Sequence, residues 1–225
     1  MSRARIRHEV FGLIFGVVYT GLATNALLVV FCLPVVLVLL TTDPARSWPL
    51  LALLAPGCAP AVCAAFAVLG AYGKERDAAV TRTFLKVWRA CAPRALAAGG
   101  IASAALVVLG VDARAAWGRP IGALVLPPLV TLMVLVPAVT MLVLVVLAER
   151  PRARLRDAAR VCLFLAVRRW YLTALSLVVL AVFEGFLARS PALALGLAGA
   201  PLLYVVWANG RFTLSTVLPL RKGLT

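Results

Sequence analysis

In an apolar chain, the few residues able to do chemistry stand out. Glu184 is the only acidic residue inside an apolar run. No second acid lies near it in sequence, so the carboxylate pair that general acid–base work often uses is missing. The five cysteines, Cys32, Cys58, Cys63, Cys91 and Cys162, have no CxxC spacing and read as small buried hydrophobes. His8 is the only histidine, which leaves no histidine cluster for a metal. Phosphate-binding loops, HExxH pairs and GxSxG elbows are also absent from the sequence. The reading is therefore of a protein that is not an enzyme, with no catalytic, cofactor-binding or metal-binding residues.

Four of the polar or helix-interrupting residues inside apolar runs are singled out, Asn25, Pro56, Pro137 and Glu184. They form the candidate intramembrane site. Ionisable groups are costly inside a bilayer and tend to mark pathways. Two readings of Glu184 stand side by side. It marks a substrate or proton path, or it reaches interfacial water and pairs with Arg189 or another loop arginine. Asn25 is expected to hydrogen-bond a neighbouring helix.

The elements that must position these groups follow from composition. The chain is 64% hydrophobic and 14% charged, where soluble proteins carry about a quarter charged residues. Apolar runs at about 17–40, 48–72, 95–111, 121–148, 171–188 and 191–208 approach or exceed the length that crosses a bilayer, about 20 residues as a helix. The expected architecture is all-α, a single transmembrane domain of six helices over residues 1–225. The first run is too long for a signal-peptide core and is expected to be retained as a signal anchor.

A net charge of +15 raises nucleic acid as a partner, but the charge is placed as a topology signal. Nineteen of the 23 Lys and Arg residues lie at the amino terminus, at 73–94, at 149–170 and after residue 208; the alternate loops hold Arg46, Arg114, Arg119 and Arg189. Basic loops stay in the cytoplasm, so both termini are expected inside. Trp48, Trp117, Trp170 and Tyr171 fall at span ends, as interfacial anchors do.

Two of the basic segments match. RDAAVTRTFLKVWR at 76–89 and RDAARVCLFLAVRR at 156–169 agree at eight of fourteen positions, 80 residues apart. Each has apolar residues at helical spacing and a basic face. They are expected to be cytoplasmic amphipathic helices, at about 75–91 and 152–170, lying on the membrane surface. Anionic lipid would hold them there by about 1 kcal/mol per nearby Lys or Arg. Phe84, Trp88, Arg89, Phe164 and Arg169 form the candidate interaction face. The offset of 80 also carries span two onto span four and span three onto span five, which suggests a parallel internal repeat. Pro137 falls one residue from the equivalent of Pro56, and matched interruptions of this kind point to a mid-membrane site.

FCLPVVLVL at 31–39, PGCAPAVCAAFAVL at 56–69 and TRTFLKVWRACAPRAL at 81–96 resemble the YesL-like family of bacterial membrane proteins of unknown function. The likeness is strongest over roughly residues 10–100. It implies the bacterial plasma membrane and an accessory role beside the membrane subunits of a sugar importer. It brings no catalytic or ligand residues. The alternative drawn from the residues themselves is a small transporter or channel with its site between spans two and four.

Overall fold

The computed structural model describes residues 3–72, 80–119, 122–189 and 198–215. All of the described secondary structure is helical. Three segments are long and apolar enough to cross a membrane: Arg46–Ala71, Val80–Ala116 and Gly122–Glu149. Two further bent pairs reach that length if each is one span. The chain thus carries the apolar helices of an integral membrane protein.

Helix α1 (Arg3–Phe31) does not run straight through the first apolar stretch. It gives way at Cys32 to α2 (Leu33–Thr41), and the two are bent by 76°. The expected single span at 17–40 is therefore broken, for a local reason. Pro34 lacks an N–H, so Val30 loses its helical partner. Proline is tolerated in the first turn of a new helix, which is where it sits here.

The second span is built from α3 (Pro44–Leu54), one 3₁₀ turn (Ala55–Cys58) and α4 (Ala59–Tyr72). Pro56 and Pro60 cause the tightening. Neither can donate four residues back, so two carbonyls, Ala52 and Pro56, are freed. The Ala59 N–H bonds Pro56 O in the 3₁₀ manner, and the Ser103 hydroxyl donates to Ala52 O at 2.5 Å. Both carbonyls are thus satisfied, as a low-dielectric surrounding demands.

Helix α5 (Val80–Ala116) is the main departure from expectation. The basic segment and the third apolar run, expected as two elements, form one helix of 37 residues. At 1.5 Å per residue it is about 55 Å long, well beyond a hydrocarbon core of about 30 Å. Its first turns, with Arg82, Lys86 and Arg89, continue the axis of the apolar part and do not lie across it. Pro93 sits inside the helix without ending it. Residues 75–79 of the expected amphipathic helix lie outside the described residues.

The second copy behaves differently. After α6 (Gly122–Glu149), the amphipathic helix α7 (Leu155–Arg168) is a separate element, and it meets α8 (Trp170–Arg189) at 99°. One sequence motif therefore continues into its following helix in one copy and turns sharply before it in the other. Helix α9 (Gly199–Leu214) closes the described bundle. Residues 191–197 of the expected sixth span lie outside the described residues, so α9 alone represents it.

The core centres on α4, where Ala61, Cys63, Ala64, Ala65 and Phe66 are completely buried. Helices α1, α5, α6 and α9 surround it. The carboxyl half of α6 adds Leu142 to Leu147, all buried, whereas Leu124, Val130, Leu132 and Val134 of its amino half are exposed. Packing is thus tight at one end of the bundle and open at the other. At the tight end Arg211 pairs with Glu149 at 3.1 Å, and Arg94 donates to Pro151 O across the turn before α7.

Candidate functional site: an apolar cleft between α3–α4, α5 and α6

The open end contains a cleft of about 990 Å³. Its walls come from α3 and the 3₁₀ turn, from α4, from the second half of α5 and from the middle of α6. Glu184 of α8 completes it. Most of the lining is aliphatic, with polar groups at Trp48, Cys58, Ser103, Arg114, Thr140 and Glu184. A largely apolar hollow with a few polar groups is the usual form of a small-molecule site.

The cleft exists because two stretches keep the helices at different separations. At its inner end α5 comes close to the 3₁₀ turn at Gly99. A Cβ there would sit 2.9 Å from Ala59 Cβ, closer than real carbon contacts allow, and a tight 3.1 Å from Pro56 Cα. Small residues at Ala95 and Gly99, both buried, permit this approach. Farther along α5, Gly110 has nothing within 4 Å of where a Cβ would be. The helices therefore pinch at Gly99 and part toward Arg114.

Two opposite charges share the cleft, Arg114 near the end of α5 and Glu184 near the end of α8. The wall hydroxyls are already committed. Ser103 donates to Ala52 O at 2.5 Å, and Thr140 donates to Val136 O at 2.7 Å within its own helix. Each spends its proton on a carbonyl and not on a base, the opposite of an activated nucleophile. Among the described residues, no three His, Cys, Asp or Glu side chains gather to hold a metal ion.

The residues singled out as the intramembrane site divide as follows. Pro137 and Glu184 line the cleft. Pro56 stands just behind the wall, packed on Gly99. Asn25 is buried on α1 and lies outside the cleft walls. Beside it Thr24 is completely buried, and its hydroxyl oxygen has no hydrogen-bond partner among the described residues. Arg114, counted in the sequence only as a loop charge, is the member that sequence reasoning missed. It stands two residues from the end of α5, and only a helix running that far brings it over the cleft.

The expected interaction face is also redistributed. Phe84 is completely buried, with its ring 5.2 Å from that of Phe31, while Trp88 lies 5.0 Å from the same ring. Both aromatics pack on the end of α1, Phe84 wholly buried and Trp88 half-buried. Arg169 donates to Phe212 O at 3.3 Å and lies over the Phe212 ring at 5.5 Å. Arg89 and Phe164 remain exposed, on separate helices, and the Arg168 guanidinium lies 5.9 Å from the Phe164 ring centre.

No curated protein and no solved structure matches the chain. Residues 22–113, from the middle of α1 almost to the end of α5, are similar to a family described as a protein of unknown function, DUF624, and the match takes in three of the four segments that wall the cleft.

Proposed function

We propose that this integral membrane protein binds a small two-ended polar solute in the cleft between α3–α4, α5 and α6, and acts as a small transporter or channel. The observation that carries this reading is the placement of Arg114 and Glu184, opposite in charge, on the walls of one apolar hollow. Both side chains line the hollow while staying exposed, so each can meet an opposite charge on a ligand. A zwitterion, with an anionic group on Arg114 and a cationic group on Glu184, fits both. The cleft is assigned binding and no bond-making step, because the hydroxyls on its walls are held by carbonyls.

In this reading the chain crosses a bacterial plasma membrane six times, with both termini in the cytoplasm. The distribution of Lys and Arg supports that orientation. The 80-residue offset in sequence supports the placement of the site, since Pro56 and Pro137 fall beside the same hollow.

The test is uptake of radiolabelled amino acids and sugars into proteoliposomes, with thermal stabilisation by the same panel measured in detergent. The reading predicts one class of zwitterion that is taken up and that stabilises the protein. Both effects should be lost in Arg114→Ala and Glu184→Gln while the helix content stays unchanged. If the whole panel fails in both assays, or if the variants behave as wild type, the reading is wrong.

A second reading rests on α7, whose Leu163, Phe164 and Val167 form an exposed apolar ridge. It makes the chain an accessory component that docks on membrane subunits of a sugar importer. The sugar comes from the resemblance alone. Co-purification with those subunits that disappears in Phe164→Ala and Val167→Ala would favour it over a lone transporter.

A further inference from the structure

A second hollow lies on the other side of the α5–α6 seam. It is a groove of about 360 Å³ between these two helices, and the start of α7 caps one end. Only Ala102 and Thr140, on the seam, line both hollows. Alanines at 98 and 105 of α5 leave the groove open, because their side chains are too short to fill it. Leu132 and Val143 on α6 form the facing wall, and Leu155 and Arg160 of α7 close the end.

We infer that this groove holds one acyl chain of an anionic phospholipid, whose phosphate sits on Arg160. Three observations fix the occupant. First, the walls are two helices of membrane-crossing length, so the groove opens onto lipid chains. Second, from Leu132 to Val143 the groove is about 16 Å long at 1.5 Å per residue. That matches one leaflet, half of a hydrocarbon core of about 30 Å. Third, Arg160 is the only charged residue on the walls, and it stands at the α7 end. A neutral apolar occupant would gain nothing from it. Arg152, Arg154 and Arg156 are exposed on the same turn and first helical turns, against a single exposed acid, Asp157. The local field therefore favours an anionic head group over a zwitterionic one. Arg94 donates to Pro151 O and keeps its positive charge beside the same turn.

This site does not depend on the solute cleft, since its polar anchor and nearly all its walls are different. It also gives α7 a specific role. The helix that turns away from α8 by 99° places an arginine over the end of a chain-shaped groove.

The experiment is native mass spectrometry of the full chain, purified in mild detergent and stripped of lipid. It is titrated with phosphatidylglycerol and with phosphatidylcholine of the same chains. Wild type should bind the anionic lipid several-fold more tightly. Arg160→Ala should remove about fivefold of that binding, the worth of one basic group near a head group, and weaken phosphatidylcholine less, because its own ammonium offsets the phosphate. Arg160→Lys should keep most of the preference. Ala105→Leu, which fills the groove, should weaken both lipids together, and glycerol phosphate without chains should not compete. Circular dichroism checks that each variant is folded. Equal binding of the two lipids by wild type, or unchanged phosphatidylglycerol binding in folded Arg160→Ala, would overturn the assignment.

Discussion

The hydrogen bond from Ser103 to Ala52 O allows a sharp test of how the second span is built. Pro56 cannot donate to Ala52 O, and the Ser103 hydroxyl of α5 takes that place at 2.5 Å. Replacing Ser103 by Ala leaves the carbonyl without a partner in a partly buried position. An unmet acceptor costs about 1–3 kcal/mol in water-soluble cores. Hydrogen bonds between membrane helices average only about 0.6 kcal/mol, with a maximum near 1.7. For this bond, which replaces a lost backbone partner, about 1 kcal/mol is expected. The second half of the test is Pro56→Ala, which restores an N–H four residues after Ala52. In that background Ser103→Ala should cost almost nothing, because the new N–H bonds the carbonyl. The four proteins form a double-mutant cycle with a coupling of about 1 kcal/mol. It is read from equilibrium unfolding in mixed micelles by far-ultraviolet circular dichroism. If Ser103→Ala costs the same in both backgrounds, the carbonyl is not what Ser103 serves, and the reasoning fails.

Three further predictions use the same unfolding assay. Gly99→Ala should destabilise by about 1–3 kcal/mol, since its Cβ would meet Ala59 Cβ at 2.9 Å. The neighbouring Gly100→Ala has nothing within 4 Å and should be neutral or slightly stabilising. Removing Arg211 and Glu149 singly and together should give a coupling of at most about 1 kcal/mol, because the 3.1 Å pair is partly exposed. Burial pushes the Cys162 thiol on α7 from its ordinary 9.0 up to about 12. Its folded value is raised, so its contribution to stability is complete below pH 9.0 and is lost as pH rises through about 12. The difference in stability between wild type and Cys162→Ala should shrink across that window. A constant difference would show that the thiol keeps its proton equally in both states.

Hydropathy made the helical membrane class legible, because apolar runs of this length allow little else. The break at Cys32 and the 3₁₀ turn at 55–58 were latent in Pro34, Pro56 and Pro60, each of which removes a specific backbone donor. The angle of the break was not, because it depends on what the two helices pack against. Continuity through α5 was hidden by Pro93 and Arg94, which look like the end of a basic segment. Both are accommodated inside the helix, and Arg94 reaches across to Pro151 O. The stripe holding Phe84 and Trp88 correctly signalled a buried face. Spacing alone does not say what buries it, and here Phe31 packs on both rings. Glu184 stood out because charge is rare in apolar runs. Arg114 did not, since an arginine at a span end serves topology equally well, and only the tertiary arrangement brings it over the cleft.

The central claim is that an open cleft reaches the 3₁₀ turn between α3 and α4. The five cysteines are free, and Cys58 lines this hollow, whereas Cys63, Cys91 and Cys162 are completely buried. The most direct measurement treats wild-type protein in proteoliposomes with a small, charged methanethiosulfonate. Peptide mass spectrometry then follows which thiols are modified over time. Cys58 should react well ahead of Cys63, Cys91 and Cys162, and Ser103→Trp, which places an indole in the hollow, should slow it. Cys58 reacting no faster than Cys162 would contradict the account, because the cleft would then be closed to water and to any solute.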